Sequence, residues 1–265
     1  MSNFLKIFLL FFFSVNILFA DSVTIQSTTS TRDSGLYKYL LPYYPNFRNV
    51  EIKVIAVGTG QAIMNAQNCD GNILIVHDEK REDIFMANNY GSERHSLMYN
   101  DFVIIGPNED SARVYGSSSV LEAFSKIYEN KRIFISRSDS SGTHAAEIKI
   151  WSQLGINPAK YSGKWYLESG QGMGPSLNIA ISLNGYIFSD RSSWLRFNNK
   201  ESHQILYSNY KELKNTYSMI LVNHERCSNL DYNLSRDLYD WLKSDAAASL
   251  IRGYKINKQS VFYID

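Results

Sequence analysis

Apolar and polar positions change rhythm repeatedly along the chain, and each change marks a candidate element. Val23-Thr24-Ile25 opens a short strand-like run that ends in the polar stretch STTSTRDSG, residues 27–35. A helical pattern follows from Gly35 to about Phe47, kinked or stopped at Pro42. Glu51 to Val57 (EIKVIAV) reads as a strand with continuous apolar character, as in a buried parallel sheet. It enters GTGQAI, a glycine turn leading to a helix, and Asn72 to His77 (NILIVH) is the next strand. Asp101 to Gly106 is another strand, closed by Pro107. Ser117 to Glu129 predicts a helix with Leu121, Phe124, Ile127 and Tyr128 on one side. Arg132 to Ser136 is a strand, followed by a loop and a helix ending near Leu154. Gly172 to Leu183 predicts a glycine-started helix, Gly185 to Ser189 and Tyr217 to Asn223 strands, and Asp237 to Ile251 a helix. Alternating strand, turn and helix indicate an α/β fold with parallel pairing.

The first twenty residues, MSNFLKIFLLFFFSVNILFA, belong to a different class. Lys6 precedes an apolar run from Ile7 to Val15, a second run follows from Ile17, and small Ala20 precedes polar Asp21-Ser22. This is a secretory signal peptide cut after Ala20, not a membrane span; an uncleaved anchor is the competing reading. No cysteine lies at the cut, so no lipid anchor is expected. The mature chain, 21–265, fits one large domain or two small ones. Lysines and arginines number 27 and acids 26, and Lys6 leaves with the signal, so the mature chain is balanced. Such a surface argues against nucleic acid or anionic membrane as partner. Cys69 and Cys227 are the two cysteines; in an exported chain they form one disulfide or stay as two buried thiols. His77, His95, His144, His203 and His224 are scattered, and no metal-ligand spacing exists.

Three segments share one grammar: apolar strand, small hydroxyl or glycine turn, helix start. They are Ser27-Thr28-Thr29-Ser30, Gly58-Thr59-Gly60 and Ser136–Thr143. A helix N-terminus presents unpaired backbone N–H groups and a partial positive charge, hydroxyls add neutral donors, and glycines permit close approach. Arg137 offers a planar fork for two oxygens. Any one such loop is an ordinary helix cap, and Arg137 alone reads as a salt-bridge partner of Asp139. Three loops at strand C-termini face a common crevice in an α/β sheet, which makes an oxyanion site. No Walker loop and no G-x-S-x-G occurs, although His144 lies close to Ser141.

The chain resembles the tungstate-binding proteins of ABC transporters, the TupA family. The resemblance rests on STTSTRDSGL (27–36), VGTGQA (57–62), the run from Val76-His77-Asp78 to Asp101-Phe102-Val103, SRSDSSGT (136–143), GQGMGPSLNIA (170–180) and YIFSDRSSWL (186–195). It implies a two-lobed type II periplasmic-binding-protein fold, with two crossing strands as hinge. Lobe 1 would comprise 21–105 plus 215–265 and lobe 2 106–214, after a signal peptide at 1–20. It implies a non-catalytic, cofactor-free, monomeric periplasmic receptor that captures tungstate, or molybdate, for an ABC permease. Carried over by position, the oxyanion ligands would be Thr29, Ser30, Thr59, Arg137, Ser141, Gly142, Thr143, Gly172 and Met173, with Gly174 beside them. Cys69 and Cys227 both fall in lobe 1, where a bridge between them is expected. R-S-D-x-S-G-T also resembles the loop of periplasmic phosphate-binding proteins, so a phosphate receptor is the alternative. An exported phosphoester hydrolase would need a metal cluster or an activated nucleophile, and the sequence offers neither. Asp139 is expected to cap the helix or orient Arg137; contact with a proton-bearing ligand such as hydrogen phosphate is the other reading. With no ligand in the cleft, Arg137 is expected to be solvated.

Overall fold

The structure, a computed structural model, describes residues 21–265; the signal peptide assigned to 1–20 lies outside the described residues. The first elements in chain order are β1 (Ser22–Thr28), α1 (Thr29–Asp33), α2 (Leu36–Leu40), β2 (Glu51–Val57), α3 (Thr59–Gln67), β3 (Ile73–Val76), α4 (Glu79–Ala87) and β4 (Gly91–Pro107). There follow α5 (Val120–Glu129), β5 (Phe134–Ser136), α6 (Gly142–Gln153), β6 (Tyr166–Glu168), α7 (Met173–Ser182), β7 (Tyr186–Asp190) and α8 (Arg191–Arg196). The chain ends with β8 (His203–Ser208), β9 (Lys214–Val222), α9 (Tyr232–Leu242), α10 (Asp245–Gly253), β10 (Lys255–Ile256) and β11 (Gln259–Ser260).

Strand order β2-β1-β3-β9-β4-β7-β5-β6 places every long strand in one continuous path, with β8 added to β4. Strands β2, β1 and β3 are parallel, as are β6, β5 and β7, so each end of the path is a small parallel sheet with helices after its strands. The 17-residue β4 joins the two ends. Its first part, Gly91 to Asp101, pairs antiparallel with β9; its second, from Phe102, pairs with β7 and β8. The chain returns between β8 and β9, and there Asn100 sits opposite Asn215 and Asp101 opposite Lys214. The two crossings therefore lie side by side.

Separate apolar clusters flank the two ends. Ile25, Ile75, Tyr217, Leu238 and Phe262 share one on the first sheet. Phe124, Phe134, Trp151, Tyr166 and Phe188 share another on the second. Cys69, after α3, is bridged to Cys227, after β9, with Cα atoms 5.3 Å apart.

Of the two alternatives at Pro42 the helix takes the stop: it ends at Leu40 and leaves through a 3₁₀ turn, Leu41–Tyr43, because Pro42 has no N–H to continue the ladder. Two local expectations change. Strand β2 is an edge strand, paired to β1 alone, and alternates exposed and half-buried positions rather than burying both faces. The last helix is two, because Ser244 leaves the helical conformation and its side chain caps Ala247 N–H of α10.

Candidate functional site

Strand ends of both sheets meet in one place. After β1, α1 begins without a linker, and Thr28 Oγ1 bonds Ser30 Oγ at 3.0 Å and Thr31 Oγ1 at 2.9 Å. Ser30 is buried and its Oγ approaches the Tyr217 hydroxyl at 3.4 Å; Thr29, in the first turn of α1, is only half-buried. After β2, buried Thr59 accepts Gly142 N–H through Oγ1 at 3.1 Å, which leaves its own hydroxyl hydrogen free to donate elsewhere. Gly60 N–H and Arg81 Nη1 both donate to the Ser140 carbonyl, at 3.0 and 3.1 Å. Loops from the two sheets are thus in direct contact. Gly142 is forced by this closeness: a Cβ there would stand 2.6 Å from His77 Cε1 and 2.9 Å from the His77 carbonyl.

The β5–α6 loop is built from the inside outward. Ser136 Oγ donates to Glu147 at 2.8 Å and accepts Ser138 N–H at 3.1 Å, and Trp151 and Tyr166 also donate to this buried carboxylate. Ser138 turns the chain with φ +45°. Asp139 Oδ1 then accepts Ser141 N–H at 3.2 Å and Ser141 Oγ–H at 2.5 Å, while Oδ2 accepts Arg137 Nη2 at 2.5 Å. Asp139 thus orients Arg137, with both its oxygens engaged. Ser141 is the N-cap of α6, accepting His144 N–H, so its hydroxyl is spent within the loop; Gly142 N–H is likewise spent on Thr59.

Arg137 is 4 % exposed, not solvated, because the opposing loops close over it. Among the described residues its Nε has no hydrogen-bond partner, and neither has Thr143 Oγ1 two residues into the same loop's helix. A buried donor left unpaired costs about 1–3 kcal/mol, and an oxyanion accepting from both removes that cost. The β6–α7 loop adjoins them: Ser169 Oγ donates to the Arg137 carbonyl at 3.3 Å. Gly172 is the N-cap of α7, with no heavy atom within 4 Å of where its Cβ would be. The Met173 side chain packs in the core with Val103, Ile135 and Leu177, so it offers the site its backbone.

Sequence reasoning missed the floor. It is made by β3, β4, β7 and β9: His77, Asn100, Asp190, Asn215 and Tyr217, all buried. His77 Nδ1 meets Asn215 Oδ1 at 2.8 Å, Asn215 Nδ2 donates to Asn100 Oδ1 at 2.7 Å, and Asn215 Nδ2 also donates to the Tyr217 hydroxyl at 3.3 Å. Asn100 Nδ2 and Asp190 Oδ2 are buried without a partner among the described residues. The other Asp190 oxygen accepts Ser192 Oγ and Ser193 N–H and so starts α8. Burial pushes the His77 pKa down to about 4 despite Asp190 and the Asn215 bond, with Arg137 adding to the depression, so the ring is neutral at neutral pH. Burial likewise raises the Tyr217 pKa, reinforced by the negative charge of Asp190. The sequence carried a signal for Asp190, in the YIFSD strand end, and none for the two asparagines, which meet only through strand pairing. Among the described residues, no group of three or more His, Cys, Asp or Glu is placed to hold a metal ion.

Comparison with known proteins agrees with this architecture. Residues 20–246 match the PBP superfamily domain. The chain is 37 % identical over 235 residues to the "Tungstate-binding protein TupA" of Peptoclostridium acidaminophilum, covering 88 % of this chain and 81 % of that one. Among solved structures it is similar to the tungstate ABC transporter protein from Geobacter sulfurreducens (TM-score 0.80, 37 % identity, 88 % of this chain and 98 % of that one). It is also similar to the tungstate-binding protein TupA from Desulfovibrio alaskensis G20 (TM-score 0.79, 35 % identity, 93 % and 99 %). The chain belongs to the PBP superfamily and, within it, to the TupA family.

Proposed function

We propose that this TupA-family member is the solute-binding component of an ABC importer, capturing tungstate between its two sheets and handing it to a membrane permease. The observation that carries the reading is the pair of buried, unpartnered donors Arg137 Nε and Thr143 Oγ1, beneath loops that touch across the cleft. A dianion needs many donors and little competing water. Arg137 supplies the one formal positive charge of its loop; Thr59, Ser30 and Thr143 add hydroxyls, and the starts of α1 and α7 add backbone N–H groups. The arrangement is suited to binding: the relatives are named as binding proteins, and the Ser141 hydroxyl is spent within its own loop, donating to Asp139 and accepting His144 N–H.

In this reading the signal peptide is removed after Ala20 and the receptor is a periplasmic monomer with no anchor. No helix among the described residues is long and apolar enough to cross a membrane. The lobes are 21–105 with 215–265, and 106–214, moving about the paired crossings. Molybdate, of the same charge and shape, binds in the same place.

One observation favours a second reading, hydrogen phosphate. Asp190 Oδ2 is a buried acceptor without a partner among the described residues, and hydrogen phosphate has a proton to give it, whereas tungstate has none at neutral pH. Calorimetric titration with tungstate, molybdate, sulfate and phosphate separates the two. Tight tungstate binding with weak sulfate and phosphate binding is expected. Tight phosphate binding with no tungstate response overturns the proposal.

A further inference from the structure

We infer that Asn100, on the long crossing strand, is a ligand-contacting residue whose amide N–H₂ is aimed at the oxyanion by a hydrogen-bond relay from His77 through Asn215. The inference rests on the oxyanion reading above and adds a residue, and a direction, to the site.

Asn100 is completely buried, and its Nδ2 has no partner among the described residues. Burying such a donor is costly unless something accepts from it. Its position puts the free amide at the site. Asn215, its hydrogen-bond partner, touches the Tyr217 hydroxyl, which reaches Ser30 Oγ on the first donor loop. Asn215 also holds His77, which abuts Gly142 on the opposing loop. Phe102, two residues along β4 from Asn100 and hence on the same face, has its ring 6.3 Å from His77. The free amide therefore lies under the two loops that close over Arg137.

The relay fixes which end of the amide faces the ligand. A neutral imidazole carries one N–H. With the proton on Nδ1, His77 donates to Asn215 Oδ1. Asn215 must then turn its N–H₂ towards Asn100 Oδ1 and Tyr217. Asn100 is left with its N–H₂ free. Reversing the proton to Nε2 reverses every bond and would present the Asn100 carbonyl oxygen, an acceptor, to an anion. His77 and Asn215 are thus positioning residues, and the His77 tautomer decides whether Asn100 presents a donor or an acceptor to an oxyanion. The crossing strands thereby touch the ligand themselves rather than only joining the parts that do.

The test uses the full mature protein, tungstate as probe, and two readouts. Asn100→Ala keeps the Asn215–Tyr217 contact and is expected to weaken tungstate binding about 10- to 100-fold, the loss of one hydrogen bond to a charged group. Asn100→Asp keeps the shape but replaces the donor by an acceptor, and should weaken binding by more than about 100-fold. Circular dichroism and thermal melts of both variants without ligand check that they fold. Imidazole ¹⁵N resonances of the parent at neutral pH should show the His77 proton on Nδ1. If the parent binds tungstate and Asn100→Ala binds equally well, the inference falls and the proposed function stands. A proton on Nε2 overturns the relay, whatever the affinities. If the parent binds neither tungstate nor molybdate, both the inference and the reading beneath it fall.

Discussion

Replacing Arg137 tests the charge balance of the site. Its guanidinium is 4 % exposed, with Nη2 on Asp139 at 2.5 Å and Nε unsatisfied. Arg137→Ala removes the loop's one cation, so a bound dianion loses charge-assisted bonds that no neighbour replaces. Losing a buried, hydrogen-bonded charge partner costs about 2–4 kcal/mol, or roughly 30- to 1,000-fold in Kd. Arg137→Lys keeps the charge but cannot hold Asp139 with one nitrogen while presenting another in the same plane, so it should recover part of the loss. Without ligand the balance differs. The cation is already desolvated, and Asp139 keeps the Ser141 N–H and hydroxyl when Arg137 is gone. Removing one partner of an ion pair destabilises most when the charge left behind is buried; the Asp139 side chain is 21 % exposed, so the unliganded melting temperature should fall only slightly. Calorimetry gives the affinities, and thermal shift gives the contrast: at a tungstate concentration 100 times the parent Kd, the parent gains about 2.7 kcal/mol and the alanine variant, at a Kd roughly 30- to 1,000-fold weaker, about 0.1–0.9 kcal/mol. Equal affinity of Arg137→Ala and parent refutes the reasoning. A large loss of unliganded stability would instead make Arg137 structural.

Thr59→Val removes the acceptor for buried Gly142 N–H and should weaken tungstate binding by about 1–2 kcal/mol, seen by calorimetry. Gly142→Ala places a methyl 2.6 Å from His77 Cε1, so the loops cannot meet; tungstate binding should be nearly abolished while the circular dichroism spectrum stays that of the parent. Reduction of the Cys69–Cys227 bridge, or Cys69→Ser with Cys227→Ser, should cost about 2–5 kcal/mol in denaturant melts, since it closes a loop with a sequence separation of 158; two labelled thiols in the denatured, unreduced protein would rule the bridge out. His77, its pKa pushed down to about 4 from 6.5, binds its proton more readily unfolded, so its stabilising effect is complete above pH 6.5 and is lost as pH falls towards 4. The loss amounts to about 3 kcal/mol; in pH-dependent melts, a His77→Phe variant should lack this component, and an unchanged profile would contradict the burial argument.

The loops were legible because local chemistry writes them. Ser30, Thr59, Arg137 and Thr143 sit where a strand run gives way to small donors and then to helix periodicity, and the structure brings these three segments together. Ser141 and Gly142 show the limit of that logic. Both lie in the loop as expected, yet their donors are spent on Asp139 and Thr59, and sequence cannot say which donor a neighbour consumes. The floor was illegible for a different reason. Asn100 and Asn215 are separated by 115 positions and become neighbours only through the β4–β9 register. The first half of β4 was overlooked because Ser92 to Ser96 (SERHS) is polar throughout, without the apolar alternation or continuous apolar run that marks a strand in sequence, although its burial alternates in the sheet. Pairing over long separations leaves no local trace.

The neighbouring crossings have a mechanical consequence. Two independent tethers would let the halves twist, slide and bend, each a separate soft coordinate. Here Phe102 N–H donates to the Leu213 carbonyl at 2.9 Å beside the Asn100–Asn215 pair, and Tyr99 exchanges backbone bonds with Tyr263 at 2.8 Å on the flank. Sliding one crossing past the other would break these bonds together, and twisting would shear the ladder. Bending across the ribbon breaks none of them. In the proposed hinge, such a joint would act as a leaf spring with one compliant direction, and its open ensemble would be a narrow arc rather than a cone. A narrow arc holds little orientational entropy, so closing on a ligand forfeits little, and most of the interaction energy gathered in the cleft remains as affinity.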